Sequence, residues 1–285
     1  MVLKLDPRYP LVWRSPDGVQ LGVARPVATI EHLSEADERM LAALTEGISE
    51  SGLVMIGTSA GASGLDVAAL LQRVTPALET PRPLPRRVLV TGAGPTAASV
   101  ARAVAATGHS LVRDNPDLVV MVAHYVLSPE QHGAWLRRDI PHLAVVIVDT
   151  AVEVGPIVEP GLGPCLYCAL RDRTEADRAW PAIAAQLSGR STVADDEVLA
   201  GEVAAVVARL VRSRLERGAA SIHESLRLDI ATGVIEATRR EARADCGCLE
   251  VSGRAEPLRG RTENDSPGGA PVAMLRRRPL QPTRA

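Results

Sequence analysis

Arg87-Val88-Leu89-Val90-Thr91-Gly92-Ala93-Gly94-Pro95-Thr96-Ala97 is the stretch on which the reading of this chain turns. Its opening apolar run has the character of a central parallel strand covered on both faces. Two glycines then permit a tight turn, and the alanine-rich residues to about Thr107 predict a helix. Strand, G-x-G and helix in this order fit the dinucleotide-binding pattern G-x-G-x-x-A. Asp114 lies 22 residues beyond Gly92, near the place of an acid that binds a ribose. Room is the difficulty. Only Asn115 and Pro116 separate Asp114 from the next strand, so the helix normally placed between them is missing. Gly92, Gly94 and Thr96 are therefore candidate anion or cofactor contacts at a helix N-terminus. A plain strand–helix bend is the preferred reading of the same residues, and ATP is not expected.

Working outward, Asp117–Ala123 and His142–Val148 are two more continuous apolar runs, which predicts a parallel α/β sheet. A long helix is expected over 196–217, with Leu199, Val203, Val206 and Leu210 on one stripe and Gly218 as its stop. Alternating strands follow at about 222–230 and 233–241, so the α/β domain is placed at 88–249. Beyond 250 periodicity ends, and 250–285 reads as a disordered tail. On the N-terminal side, three prolines within Pro81–Arg87 mark an extended linker over 81–87. The preceding residues 1–80 form a separate module. Leu11–Arg14 and Val19–Val23 flank the turn residues Ser15-Pro16-Asp17-Gly18, which predicts a hairpin. A third strand is expected at Val27–Ile30, a Ser34-capped helix at 35–46 and a second helix at 65–73. Strands and helices in this order suggest a winged-helix-like α+β module.

Composition removes several classes of function. The chain carries 32 basic and 34 acidic residues, and it has no Phe, three Trp and three Tyr. A nucleic-acid binder would show a basic excess or stacking platforms, so that class is disfavoured. No apolar run approaches the ~18 residues of a membrane helix, and the start lacks a signal-peptide pattern. Four cysteines are too few for a disulfide scaffold of this length. A cytoplasmic protein with no membrane partner is the expectation.

Chemistry concentrates in those cysteines. Cys165-Leu166-Tyr167-Cys168 is a C-x-x-C knuckle, and Cys246-Gly247-Cys248 is a second tight pair. Two chelating thiolate pairs suit tetrahedral zinc, and a closed four-cysteine site is structural because it leaves no open coordination position. The alternative is a redox C-x-x-C with an unrelated second pair. Gly57-Thr58-Ser59-Ala60-Gly61 matches the nucleophile elbow G-x-S-x-G, but it lacks the strand and large sheet that the elbow needs. It reads as a flexible loop, and no catalytic residue is assigned.

Gly155-Pro156, Gly163-Pro164-Cys165-Leu166-Tyr167-Cys168, Trp180-Pro181 and Cys246-Gly247-Cys248 together carry a resemblance. Over about residues 8–248 the chain resembles the actinobacterial precursor leader peptide-binding proteins, or cyclodehydratase C components, that serve the synthesis of thiazole/oxazole-modified peptides (TOMMs). The resemblance implies a winged-helix-like peptide-recognition module followed by a degenerate Rossmann-like ThiF/activating-enzyme domain with structural zinc. It implies a leader bound as an added strand along Val27, Ala28, Thr29 and Ile30, against Leu65, Ala68, Ala69 and Gln72 of the 65–73 helix. The implied partners are a ribosomal precursor peptide and a YcaO-type cyclodehydratase, with a second copy of the chain also admissible. Active ThiF-like relatives need acidic, arginine and lysine residues around a magnesium triphosphate. Here the only lysine is Lys4, outside that domain, and the strand end Val122-Ala123-His124 has no carboxylate. A leader-binding scaffold without chemistry of its own is therefore expected. The alternative is an ATP-dependent adenylyltransferase with a non-standard nucleotide site.

Overall fold

The computed structural model describes residues 2–80, 83–218 and 223–249. The chain divides after Pro85 into two compact units. The expected tail at 250–285, and Pro81 and Arg82 of the expected linker, lie outside the described residues.

The first unit runs β1 (Val2–Leu3), β2 (Leu11–Ser15), β3 (Gly18–Leu21), β4 (Ala28–Ile30), α1 (Glu35–Glu46), β5 (Ile48–Ser49), α2 (Glu50–Ser59) and α3 (Gly64–Val74). Strands β2, β3 and β4 form an antiparallel sheet in that order, while β1 pairs with β5. Ser34 and Ser63 start α1 and α3 through reciprocal capping boxes with Asp37 and Asp66, which satisfy N–H groups that a helix start leaves unpaired. Leu21, Ile30, Met40, Leu44, Leu53 and Leu70 fill the core. Each such burial contributes about 1.5–3 kcal/mol.

One expectation is corrected here. Gly57–Ser59 is the last turn of α2 rather than part of a flexible loop. The physical reason is close packing. A Cβ on Gly57 would stand 2.8 Å from Val67 Cγ2 and 2.9 Å from Met40 Sδ, so glycine lets α2 approach α1 and α3. The G-x-S-x-G match therefore has a helix before it, not a strand.

The second unit runs β6 (Arg87–Thr91), α4 (Pro95–Ala106), β7 (Ser110–Leu111), β8 (Leu118–His124), α5 (Pro129–Arg137), β9 (His142–Ile147), β10 (Ala151–Val158), α6 (Leu166–Ala176), α7 (Trp180–Leu187), α8 (Glu197–Arg217), β11 (Glu224–Asp229) and β12 (Ile235–Arg239). They build a seven-stranded mixed sheet, consistent with a Rossmann-like fold, in the order β12-β11-β10-β9-β8-β6-β7. The pairs β7–β6, β6–β8 and β8–β9 are parallel; those from β9 to β12 are antiparallel. Leu143, Val145, Val152 and Val154 on one sheet face pack with α4 and α8 residues such as Val100, Val203 and Val207. Asp196 caps α8 by accepting from the Val198 and Leu199 N–H groups, and left-handed Gly218 ends it.

The missing helix is a real feature of the chain: residues 112–117 pass from β7 to β8 without one. Asp117 anchors the shortcut. Its carboxylate accepts from the Arg87 N–H at 2.7 Å and the Arg87 guanidinium at 3.0 Å. The guanidinium holds Asp117 below the usual carboxylate range. Among the described residues, no helix is long and apolar enough to cross a membrane.

Candidate functional site

Three places singled out by the sequence have distinct geometries. The first is the N-terminus of α4. Gly92 and Gly94 both hold positive φ, +116° and +97°, which favour glycine. A Cβ on Gly92 would stand 2.3 Å from the Val122 carbonyl oxygen, and one on Gly94 would stand 2.3 Å from Asp195 Oδ2. Thr96 is fully buried. Its backbone N–H and its hydroxyl both donate to Asp195 Oδ1, at 3.1 Å and 2.5 Å. The other Asp195 oxygen lies 2.9 Å from His124 Nε2, and the Asp195 side chain is 2% exposed. Helix N-termini attract anions because their N–H groups and dipole point outward. Here the anion is the protein's own carboxylate. Asp114, the candidate ribose acid, is exposed.

Sequence reasoning missed Asp195. It stands 99 residues from Thr96 and 71 from His124, and the only local signal was an acidic pair before a long helix. Asp195 and Asp196 divide the work, the first occupying the start of α4 and the second capping α8.

The second place is the cysteine cluster. Cys165 sits at the N-cap of α6 and Cys168 in its first turn. Cys246 and Cys248 come from the segment after β12. The sulfurs are 3.8 Å apart for Cys165–Cys168, 3.7 Å for Cys165–Cys246 and 3.7 Å for Cys168–Cys248. All four lie within 4.8 Å of one another. Four thiolates at about 2.3 Å from one zinc ion would be ~3.8 Å apart at tetrahedral corners, so the spacing fits the ion. The sulfurs are too far apart for disulfides, and the second pair is not unrelated to the first. Burial raises the Cys165 thiol well above its usual range and pushes Cys248 up to about 11. A bound cation reverses that tendency by stabilising thiolate. Arg243 fastens the segment to α6, donating to Asp172 at 3.0 Å and to Glu175 at 2.8 and 2.6 Å.

The third place is the edge of β4. Among the described residues β4 pairs only with β3, so its other edge is free. Val27 and Ala28 are half-buried, Thr29 is exposed, and Ile30 is 1% exposed. The Ile30 side chain thus belongs to the core, and only its backbone remains for pairing. On α3, Val67, Leu70 and Val74 face inward. Leu65, Ala68, Ala69 and Gln72 form an exposed stripe, with Leu65 83% exposed.

Comparison with solved structures follows from this geometry. The chain aligns with the heterocyclase TruD at a TM-score of 0.65 and 17% identity, over 87% of this chain and 42% of that one. A heterocyclase in complex with substrate and cofactor aligns at a TM-score of 0.62 and 16% identity, over 87% and 39%. Escherichia coli MccB with MccA aligns at a TM-score of 0.60 and 12% identity, over 87% of this chain and 100% of that one. The chain shares their fold. It spans about two fifths of the length of the two heterocyclase chains. No protein-family model matches the chain, and no curated protein matches it in sequence.

Proposed function

We propose that this chain is a leader-binding scaffold for the synthesis of thiazole- and oxazole-modified peptides. In this reading the first unit is a winged-helix-like recognition module, and the leader of a ribosomal precursor peptide adds a strand to the free edge of β4. Backbone pairing supplies affinity, while the α3 stripe of Leu65, Ala68, Ala69 and Gln72 selects side chains and register. The second unit is a degenerate activating-enzyme domain that presents the bound precursor to a YcaO-type cyclodehydratase in the cytoplasm. Holding the leader raises the effective concentration of the core peptide near that partner, to the order of mM for a short flexible link. Zinc held by Cys165, Cys168, Cys246 and Cys248 is structural, since four thiolates leave no position for a reacting group.

The observation that carries the scaffold reading is Asp195 on the N-terminus of α4. A triphosphate there would meet a carboxylate already bound by the same donors. This counts against the adenylyltransferase alternative. The test is binding of the synthetic leader of a precursor peptide encoded beside this chain, followed by fluorescence anisotropy. Ala69→Arg is expected to weaken binding at least tenfold while the chain stays folded, because residue 69 is exposed and arginine is a good helix former. Saturable binding that Ala69→Arg leaves unchanged would overturn the groove assignment. ATP–pyrophosphate exchange abolished by changing Gly94 would overturn the scaffold itself.

A further inference from the structure

The two faces of the large sheet are filled differently. Leu143, Val145, Val152 and Val154 build a dense layer beneath α4 and α8. On the other face β9 and β10 present Ala144, Val146 and Gly155, and α6 answers with Leu166, Ala169 and Leu170. Small residues at 144, 155 and 169, in a chain without a single phenylalanine, leave a cavity of about 480 Å³. This volume falls within the roughly 300–1,000 Å³ of small-molecule sites.

Polar groups at the cavity point to the kind of occupant. The lining residues Trp180 and His132 are 8% and 6% exposed. The Trp180 indole N–H and His132 Nδ1 have no hydrogen-bond partner among the described residues. An indole N–H only donates, so it calls for an acceptor. Charge on the lining is distributed unevenly. Glu153 is paired with Arg227 at 3.5 Å and Arg173 at 3.9 Å, and Asp172 accepts from Arg243 at 3.0 Å. Arg240 makes no ion pair among the described residues; its Nε is 3.4 Å from Ser225 Oγ. The Arg173 guanidinium lies 3.7 Å over the Trp180 ring. Glu153 has its shorter contact with Arg227 and Asp172 is held by Arg243, so Arg173, 3.9 Å from Glu153, and Arg240 retain donors. Tyr125, at the end of β8, lines the same cavity with a left-handed φ of 60°, a conformation unusual for a bulky residue.

We propose that this cavity binds a small organic carboxylate with an apolar body. The apolar part lies among Val146, Leu166 and Leu170, and the carboxylate meets Arg173, Arg240 and the Trp180 indole N–H. This site lies within the second unit, its wall at Leu166 adjoining the cysteine cluster, and it does not depend on the leader-binding reading.

The test uses the full chain with octanoate, indole-3-acetate and the uncharged octanamide as probes, titrated by calorimetry and by ¹H–¹⁵N NMR. The three tryptophans give a simple indole N–H region, assigned with Trp13→Phe and Trp135→Phe. Saturable binding of either acid at one site per chain is expected, with the Trp180 indole signal moving and the Trp13 signal unmoved. Octanamide should bind at least tenfold more weakly than octanoate. Arg240→Gln should weaken acid binding about tenfold, and Ala169→Phe, by filling the space, should abolish it. Arg240 is half-buried and makes no ion pair among the described residues, so its variant remains informative if Ala169→Phe fails to fold. Failure of both acids to bind at mM concentration overturns the proposal, as a cavity holding only water would predict. Equal binding of octanamide, or an unmoved Trp180 signal on saturation, overturns it too.

Discussion

The start of α4 and the edge of β4 are both places where backbone donors point away from their own secondary structure, and the chain treats them in opposite ways. At α4 the Thr96 N–H and hydroxyl are matched from within. Two glycines let Val122 and Asp195 come close, Thr96 is buried, and one carboxylate joins the helix to the end of β8. At β4 the outer edge has no strand partner among the described residues, and the α3 stripe is exposed. A position that binds its own chain has become part of the fold, so changing it costs stability. A position left open contributes little to stability, so changing it costs only binding.

The largest expected effect extends the closed class to the cysteines. Cys168→Ser, or removal of metal by a chelator, should release the segment after β12 from α6, because structural zinc contributes on the order of 10 kcal/mol in small domains. Metal analysis with limited proteolysis checks this: about one zinc per chain and loss of protection in the variant are expected. A metal-free protein with full protection would break the comparison at its strongest point. Next comes Gly92→Ala, whose Cβ meets a backbone carbonyl at a φ of +116°. The expected cost is about 3 kcal/mol or more, seen as a Tm lower by roughly 10 °C. Asp195→Ala should be milder, about 1–3 kcal/mol, from buried donors left unpaired. Millimolar phosphate should restore part of the lost Tm in Asp195→Ala and leave the original chain unaffected. If phosphate stabilises both equally, Asp195 is not the anion that α4 holds. Smallest of all is Ala69→Arg, expected to shift stability by no more than about 0.5 kcal/mol while weakening leader binding. A large fall in its Tm would show that the α3 stripe is not open.

Local signals carried much of this architecture. Ser34 marked a helix start that the structure places one residue later, whereas the caps Ser63 and Asp196 emerged only in the structure. The hairpin about Ser15–Gly18, the apolar runs of β6, β8 and β9, and the helix ended by Gly218 were all legible from period and turn chemistry. What escaped depends on contacts distant in sequence. Helix α2 was hidden because Gly57 is small for the sake of Met40 and Val67, and composition alone cannot distinguish that from loop glycine. Strand β7 is only two residues long, too short to show a period. At the candidate groove the sequence named the residues, but not that Ile30 turns its side chain into the core while Thr29 stays outside. The two cysteine pairs were visible, yet Asp195 was not, since a single acid has no spacing to betray it.

The cysteine cluster also changes how connectivity should be pictured. If one ion joins Cys165 and Cys168 to Cys246 and Cys248, the 77 residues between Cys168 and Cys246 become a closed ring. Helices α7 and α8 and the β11–β12 hairpin all belong to it. Closing a loop of that size removes about 4–5 kcal/mol of chain entropy from the unfolded state. Such a closure would also make the backbone between α7 and α8, where Asp195 lies, dispensable as a covalent link. A single cut there would leave two fragments still fastened at the cysteines, as a bracelet opened opposite its clasp stays one object.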